Sequence, residues 1–432
     1  MEKIKLKKLE IKDNRVEFRF SVSEKIKPFL KADSFFIEYS ENVSNIPISV
    51  LSVAFVGNFL PFAWFFDAEI SIDELDEDFH DCLPKIREGY EYMYPKWRMG
   101  GKVCCGRLVK NNTRSMGKSA AFFSGGLDAV QTLLAHIDEK PDLLSIWGAD
   151  VASANVEGWE VMHAKIVDVA KGQGLSNHVI RNDFRSIEQE GELHGLVKPV
   201  LGDGWWHGIK HAMAMFGMVA PVAYKFGYER IYIASSHCKA IGMATCASNP
   251  WVDNAVCFCG CQVIHDGYEY ERQDKARFVV EECQKRSLQI PLHVCWKTQT
   301  GENCCQCEKC FRTITEILVE GGDPKAFGFD EYEKHYNFSS VVSTMRRTFY
   351  EENKIGRKDL NRIWQATVPR IKARESELRT SPYWPIFNWM RKHDFMSTKD
   401  ITLPLGDRIA SCKARARRFA SRIYHKMLGG WV

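Results

Sequence analysis

The sequence lacks the features that would assign it to a special class of proteins. It has little charge excess, because 59 Lys and Arg stand against 55 Asp and Glu for a net charge of +4. The surface as a whole is therefore not suited to attract a polyanion, and any basic surface is local. Internal repeats and low-complexity tracts are missing as well, so disorder is not expected.

The N-terminal segment MEKIKLKKLEIKD has no apolar run of the kind that a secretory signal peptide contains, which predicts a cytoplasmic protein. The most apolar segment, Ile48 to Phe66, includes serines, a glycine, an asparagine and a proline. A membrane-spanning helix needs about 20 uninterrupted apolar residues. We therefore predict strands of a buried core in this segment and no membrane span.

The chain has 432 residues, of which 45% are hydrophobic and 26% charged, so two or three globular domains fit its length. Residues 1–112 show strand-like alternation, for example at Val16, Phe18 and Phe20, and predict a separate β-rich or α+β domain. Residues 330–432 are helical and aromatic in pattern and predict a helical C-terminal region with a basic tail.

Between these regions, residues 113–329 alternate predicted strands with predicted helices. This alternation predicts an α/β domain with a parallel sheet, helices on both faces and a ligand at the carboxyl ends of the strands. The predicted strands are Ala121–Phe123, Leu143–Trp147, His178–Asp183, Ile231–Ser235 and Gln262–His265. The predicted helices are Leu127–Ile137, Gly208–Phe226 and Arg272–Arg286.

The stretch AFFSGGLDAVQTLLAH places three small residues, Ser124, Gly125 and Gly126, between a predicted strand and a predicted helix. At such a turn the first helical amide groups have no partner within the helix and favour an anion, and glycine lets phosphate oxygens approach the backbone. Asp128 in the first helical turn is a candidate ligand for the Mg²⁺ that a phosphate group brings. A plain tight turn explains the same residues, because a short glycine motif alone is weak evidence.

Fifteen cysteines in a chain without an export signal favour free thiols and metal over disulfides. Cys304, Cys307 and Cys310 recur at every third position, and Cys295 lies just upstream. Four thiolates can close a tetrahedral zinc site, which we predict here with Cys305 as the spare thiol. A redox pair and an iron–sulfur cluster are the alternatives.

A basic amphipathic pattern follows near the C-terminus. The segment from Arg408 to Lys426 places apolar side chains on one helix face among many Arg and Lys. Such a helix can bind nucleic acid, a membrane surface or a protein partner. A solvated helix packed on its own domain is the simpler interpretation.

Taken together, the SGGLD stretch after a predicted strand and the four downstream cysteines resemble the PP-loop ATP pyrophosphatases, and within them the 7-cyano-7-deazaguanine synthase family. The resemblance covers about Ser119 to Phe329 and implies a Rossmann-like sheet of the HUP type, in a long form with extra N- and C-terminal domains. In that family ATP lies across the loop and a substrate carboxylate attacks the α-phosphate. Pyrophosphate then leaves, and the acyl-adenylate reacts with ammonia or another amine.

The resemblance implies ATP, Mg²⁺ and Zn²⁺ as cofactors. The implied catalytic residues are Ser124 at the pyrophosphate, Asp128 at the metal, and Lys275 at a phosphate, where relatives carry a Lys on a helix before the cysteines. A solvated Lys explains Lys275 equally well. The implied nucleotide-binding residues are Phe122, Phe123, Ser124, Gly125, Gly126, Leu127 and Asp128.

The substrate is expected near the segment GDGWWHG. Trp205, Trp206 and His207 can stack on or hydrogen-bond a flat substrate, and His237 follows a predicted strand at the ligand-facing end. Core tryptophans and a plain loop are the alternatives. The chain departs from the family in this segment, where the synthases carry an Arg-Asn pair, and at Ala129, where the family usually has Ser or Thr.

The leading expectation is an enzyme that converts ATP to AMP and pyrophosphate while activating a carboxylate or an amide carbonyl. The resemblance implies a substrate of the deazaguanine type and, by similarity to long-form relatives in antiviral-defence gene clusters, an amine on a partner protein as an acceptor besides ammonia. A tRNA-modifying enzyme that grips RNA with its basic C-terminal helix is one alternative. A non-catalytic nucleotide-binding subunit, which Ala129 favours, is the other.

Overall fold

The structure is a computed structural model that describes residues 1–111, 116–242, 244–295, 297–298, 300–354 and 359–397. The chain forms two compact units. The larger unit comprises Met1–Asn303 with Ala326–Gly328, and the smaller unit comprises Cys304–Lys325 with the chain from Phe329 onward. The predicted basic helix from Arg408 to Lys426 lies outside the described residues.

The larger unit contains every described strand of the chain. In chain order these strands are β1 Glu2–Lys12, β2 Arg15–Val22, β3 Ser34–Tyr39, β4 Ala68–Asp76, β5 Lys102–Val109, β6 Lys118–Phe122, β7 Asp142–Trp147, β8 Asn177–Asn182, β9 Tyr228–Ala234, β10 Cys257–Phe258 and β11 Cys261–Asp266. Its α-helices are α1 Ile48–Phe66, α2 Glu77–Met93, α3 Leu127–Ala135, α4 Val156–Gln173, α5 Phe184–Ile187, α6 Glu190–Leu201, α7 His211–Phe226, α8 Pro250–Asp253 and α9 Arg272–Arg286. A π-helix, Trp205–Lys210, leads directly into α7.

The smaller unit is helical in its described part. Its helices are α10 Glu308–Val319, α11 Tyr332–His335, α12 Phe338–Lys354, α13 Asp359–Ala373, α14 Glu375–Leu378 and α15 Trp384–Lys392. Helix α10 packs against α12 and α13, and the buried Trp364 of α13 donates its indole N–H to Glu308 of α10 over 2.8 Å. The predicted helical C-terminal region is thus confirmed for the described residues.

The eleven strands form one mixed, mostly parallel sheet in the order β10-β11-β9-β6-β7-β8-β3-β2-β1-β4-β5. The central strands β11, β9, β6, β7 and β8 are all parallel to their neighbours within this group. From β6 the chain moves outward through β7 and β8, and it then returns to the other side of β6 with β9 and β11. The direction of strand addition therefore reverses between β6 and β9. In open α/β sheets, ligands bind outside the carboxyl ends of the strands at such a reversal.

The predicted α/β architecture is confirmed. Strands β6, β7, β8, β9 and β11 match the five predicted strands to within a few residues, and α3, α7 and α9 match the three predicted helices. The N-terminal strands, however, extend the same sheet and do not form one of their own, because β3 pairs antiparallel with β8. Strand β5 pairs parallel with β4 at one edge of the sheet.

The prediction of strands in Ile48–Phe66 is wrong, because this segment is the 19-residue helix α1. By length and composition α1 is the one described helix that could cross a membrane, and 89% of its apolar window is buried inside the protein. A helix that is apolar on all sides has no helical period in its sequence. The pattern therefore does not distinguish it from a run of buried strands.

Helix α1 packs backbone to backbone against α7. A methyl group added at Gly57 would lie 2.5 Å from the carbonyl oxygen of Met213 and 3.0 Å from Cα of Gly217. One added at Gly217 would lie 2.8 Å from the carbonyl oxygen of Val53. Glycine at both positions lets the two helices approach each other closely, and this contact anchors α1 in the core of the larger unit.

We predict that Gly57→Ala destabilises the larger unit by about 1–3 kcal/mol, because the added methyl group overpacks the contact with α7. The matched control is Gly172→Ala in α4, where an added methyl group meets no atom within 4 Å. That control should be neutral or stabilise by about 0.5–1 kcal/mol, since alanine favours a helix over glycine. Thermal or denaturant unfolding measures both variants. Equal stability of the two would contradict the packing described above.

A buried histidine stands at the junction of β8 with the N-terminal part of the sheet. His178 contacts Glu41 through Nδ1 over 3.0 Å and Asp142 through Nε2 over 3.4 Å. Burial alone would lower the pKa of His178, but hydrogen bonds and charge interactions with Asp142 and Glu41 raise it above its ordinary value of 6.5. The imidazolium form is thus favoured by folding.

Because the folded pKa is raised, we predict that His178 contributes stability that is fully present below about pH 6.5 and is lost as the pH rises through the folded pKa. His178→Gln should remove this part of the pH dependence while leaving a polar group at the site. The measurement is the difference in unfolding free energy between wild type and variant from pH 5 to pH 9. Parallel curves across this range would show that His178 is not linked to stability.

Candidate functional site

The turn after β6 lies at the reversal of strand order. Gly125 has φ +75°, a left-handed conformation that glycine adopts without strain, and its carbonyl oxygen accepts a 2.7 Å hydrogen bond from the amide of His293. Gly126 is the N-cap of α3, and because it has no side chain it cannot cap the first amides of the helix. A methyl group added at Gly126 would find its nearest contact at 3.6 Å, the hydroxyl of the exposed Ser124. The first amides of α3 have no acceptor within the helix, and no side chain is needed at Gly126 to fill the space beside them, as an anion site requires.

Other predicted nucleotide-binding residues around this turn have buried side chains. Phe122, Phe123 and Leu127 are buried in the core. Phe123 extends the sheet through an amide hydrogen bond to Leu144 over 2.9 Å. Their side chains hold the turn in place, and only their backbone is close to the open face.

Two cations meet the carboxylate of Asp128 beside the turn. Arg272 Nη1 lies 2.9 Å from one carboxylate oxygen, and Lys275 Nζ lies 3.3 Å from the other. Lys275 is only 2% exposed and also donates to the carbonyl oxygen of Ser235 over 2.5 Å. Arg272 and Lys275 are three residues apart in the first turn of α9, so they share one helix face. The structure therefore brings predicted Lys275 next to predicted Asp128.

The arrangement suits phosphate oxygens, because a helix N-terminus and two cations lie at one edge of the sheet. It fits the predicted Mg²⁺ less directly. Both oxygens of Asp128 already pair with cations, so a metal at Asp128 would have to displace Arg272 or Lys275.

The predicted substrate-binding residues separate into two groups. Trp205 is fully buried, packs edge-on against Phe62 and donates its indole N–H to Glu188 over 3.1 Å. Trp206 is half-buried under the guanidinium of Arg185, at 4.1 Å from its ring centre. Trp205 is therefore part of the core, whereas Trp206 keeps a partly exposed ring. The second group, His207 and His237, comes together with a cysteine that the sequence analysis did not select.

His207, His237 and Cys246 have side-chain ligand atoms within 4.8 Å of one another. Hydrogen bonds to Asp203 and to Cys246 raise the pKa of His207 to about 10, although burial opposes this. Burial raises the pKa of the Cys246 thiol, but favourable interactions with the imidazoles of His207, His211 and His237 outweigh it and lower that pKa well below its ordinary value. Cys246 thus lies among three imidazoles, a setting that favours the thiolate.

Sequence reasoning missed Cys246 because a single cysteine between small residues carries no spacing pattern. The signal that could have found its partners is the His207/His211 pair at four-residue spacing, with Asp203 four residues before His207. The position of Cys246 depends on contacts between segments that are distant in the sequence. Cys246 is brought to the histidines by the loop before α8, which no local pattern predicts.

The four predicted cysteines, Cys295, Cys304, Cys307 and Cys310, are brought together. Their sulfurs lie within 4.8 Å of one another, and those of Cys304 and Cys310 are 3.9 Å apart. Cys295, Cys307 and Cys310 are buried. This donor set fits a metal such as zinc, since four sulfurs with bonds of about 2.3 Å close a tetrahedral shell.

Backbone geometry in the cysteine segment aims the sulfurs. Cys307 is the N-cap of α10, and its sulfur accepts the amide of Cys310 at 3.4 Å. Cys305 adopts a left-handed conformation, with φ +52°, which reverses the chain between Cys304 and Cys307. Cys305 is buried but does not belong to the cluster, in agreement with its prediction as the spare thiol.

Comparisons of the chain with family models, with curated proteins and with solved structures find no match.

We predict that Cys304→Ser lowers the bound zinc by one equivalent per chain relative to wild type, because it removes one ligand of the four-cysteine cluster. The neighbouring Cys305→Ser is the matched control and should keep the full metal content. Elemental analysis after dialysis against a mild chelator measures both proteins. Equal metal loss in both variants, or none in either, would contradict the assignment of the ligands.

Proposed function

We propose that this protein is an ATP-dependent enzyme that forms AMP and pyrophosphate while activating a carboxylate or an amide carbonyl for attack by a nitrogen nucleophile. One observation carries the proposal: the open turn Ser124–Gly126 lies at the reversal of strand order, beside Arg272 and Lys275. The order of the central strands is that of Rossmann-like sheets, which bind nucleotides at this place. The resemblance of the SGGLD stretch and the cysteine cluster to PP-loop enzymes supports the same conclusion.

The chemistry needs negative charge to be stabilised on the departing pyrophosphate. A substrate carboxylate oxygen attacks the α-phosphorus, and the bond from that phosphorus to the bridging oxygen breaks with its electron pair on pyrophosphate. The N-terminus of α3 and the cations of Arg272 and Lys275 are positioned by the fold before the reaction, so they can stabilise this charge with little reorganisation. Magnesium bound with the nucleotide supplies further neutralisation.

The second step joins carbon to nitrogen. An amine attacks the acyl carbon, the bond from that carbon to the AMP oxygen breaks, and the amine loses a proton to solvent. We propose a deazaguanine-type acid or amide as the activated substrate. As the nucleophile we propose ammonia or an amine of a partner protein, as in the family that the sequence resembles.

Asp128 has a positioning role in this scheme. Its carboxylate holds the heads of Arg272 and Lys275 beside the turn, and Lys275 is further held by the carbonyl oxygen of Ser235. When a triphosphate arrives, its oxygens can replace the carboxylate as partners of the two cations. Without Asp128, Arg272 and Lys275 would still lie at this edge of the sheet, but their charged groups would no longer be oriented toward the turn.

The same geometry weakens the case for a non-catalytic subunit. Ala129, which stands where relatives carry a hydroxyl, is only 7% exposed. Its side chain is largely enclosed, and the cations of Arg272 and Lys275 stand beside the turn without a hydroxyl at this position. The RNA-modifying alternative depends on the basic segment from Arg408 to Lys426, which lies outside the described residues, and it predicts RNA binding that weakens steeply with salt.

We predict that Lys275→Met weakens ATP binding at least tenfold and slows AMP and pyrophosphate formation about 10²–10³-fold, because one preorganised cation is lost. Lys285→Met on the same helix is the matched control: Lys285 is exposed and pairs with Glu282, so the variant should behave as wild type. Calorimetry gives the affinity, and chromatography of the nucleotide products gives the reaction, with candidate carboxylic acids and partner proteins present.

Circular dichroism of both variants checks that the fold is kept. Formation of ADP in place of AMP by wild type would contradict the proposed reaction. Identical ATP affinity in the Lys275 and Lys285 variants would contradict the proposed site.

A further inference from the structure

The geometry points to a second metal site in this protein, in which His207, His237 and Cys246 bind one zinc ion and leave a fourth coordination position open toward solvent. These three side chains come from the π-helix, from the loop after β9 and from the loop before α8. Their ligand atoms lie within 4.8 Å of one another. Two imidazoles and one thiolate are a donor set that zinc prefers, with bonds of about 2.0–2.3 Å, so modest side-chain rotations close the shell.

The histidines are oriented as metal ligands are. His207 Nδ1 lies 2.9 Å from a carboxylate oxygen of Asp203, so an ion would bind at Nε2 in place of the proton there. Asp203 itself is fixed by the amide of Gly204 at 2.6 Å and the hydroxyl of Thr245 at 3.1 Å. Histidines that bind metals nearly always donate their second nitrogen to a carboxylate or a carbonyl oxygen, as His207 does here.

His237 provides an independent observation. Its Nε2 atom is buried and has no hydrogen-bond partner among the described residues. A buried polar nitrogen without a partner is costly, and a bound ion is one of the few groups that satisfy it. The carbonyl oxygen of His237 accepts a 2.7 Å hydrogen bond from the hydroxyl of Ser235, so the residue is held in place by its backbone.

One buried network fixes both loops that supply ligands. His265 contacts the hydroxyl of Ser235 at 2.8 Å and the carboxylate of Asp253 at 2.7 Å. Asp253 accepts a 2.5 Å hydrogen bond from Ser248, two residues after Cys246. The loop of His237 and the loop of Cys246 are therefore held by the same carboxylate and imidazole. This Asp–His–Ser arrangement resembles a hydrolase triad, but Ser235 is fully buried and cannot reach a substrate.

The exposed fractions of the side chains favour a metal site over a nucleophilic thiolate as the role of this cluster. Cys246 is 3% exposed, whereas the side chain of His207 is 54% exposed. A nucleophilic sulfur must be reached by its substrate, but the open side of this cluster is at His207 and not at the sulfur. An ion among the three ligands can bind through the buried sulfur and still meet solvent on the open side. The π-helix that carries His207 is a rare geometry found mostly at functional sites.

The position of the cluster in the fold indicates which class of ligand would occupy the fourth coordination position. His237 follows β9, the strand that pairs with β6 across the reversal of strand order. The zinc would therefore lie at the same sheet edge as the turn Ser124–Gly126. A zinc with one open position polarises a carbonyl oxygen or activates a water molecule, so the ligand class is an oxygen donor of a substrate or water.

The test is the metal content of the full chain. Wild-type protein loaded with Zn²⁺ and dialysed should hold two equivalents, and Cys246→Ser and His207→Gln should each hold one. Because His207 is exposed, its variant leaves the core intact if Cys246→Ser impairs folding. Cys238→Ser, a buried cysteine next to His237 that is outside the cluster, is the control and should hold two.

Thiol chemistry gives a second readout that needs no ATP, so it is separate from the proposed enzyme activity. A small alkylating reagent reaches the buried Cys246 only when the loop before α8 opens transiently. Bound Zn²⁺ should slow this alkylation in wild type more than tenfold, as mapped by peptide mass spectrometry, and His207→Gln should abolish the protection. One equivalent of zinc in wild type and in Cys246→Ser, with alkylation of Cys246 unaffected by Zn²⁺, would overturn the proposal and indicate a thiolate held by imidazoles alone.

Discussion

The parallel pairing of β6 with both β7 and β9 is the constraint on which the rest of the structure depends. Because both neighbours are parallel to β6, each is reached by a helical crossover: the chain passes from β6 to β7 through α3, and it returns from β8 to β9 through α6 and α7. These two crossovers run in opposite directions along the sheet. Their divergence opens the edge of the sheet at this point. Gly125 and Gly126 occupy the opening, and α3 begins there with Gly126 as its N-cap.

Charged and metal-binding groups collect at this one edge for the same reason. Arg272 and Lys275 reach it from α9, which packs against α3, and His237 reaches it from the end of β9. Buried side chains hold these groups in place: Lys275 between Asp128 and Ser235, and His237 through the network around His265. The adenylating chemistry and the second metal site that we propose both follow from this preorganisation.

Several parts of the fold could be predicted because they are local. The strand–turn–helix at Ser124–Gly126, helix α9 and the four-cysteine spacing are each encoded within some fifteen to twenty residues. Other parts were not predictable because they depend on contacts between distant segments. No local pattern shows that β3 pairs with β8, or that Cys246 meets His207. Helix α1 was not predicted because a fully buried helix needs no polar face, so its sequence shows no helical period. The only trace of its close contact with α7 in the sequence is one glycine in each helix, Gly57 and Gly217.

The central claim is that the triphosphate of ATP binds at the turn after β6. The most direct measurement is a crystal structure of the full chain with a non-hydrolysable ATP analogue and Mg²⁺. We expect phosphate oxygens within hydrogen-bond distance of the amides at Gly126 and Leu127, with Lys275 or Arg272 turned from Asp128 to a phosphate. An analogue bound elsewhere, with both cations still on Asp128 and the turn unchanged, would contradict the account.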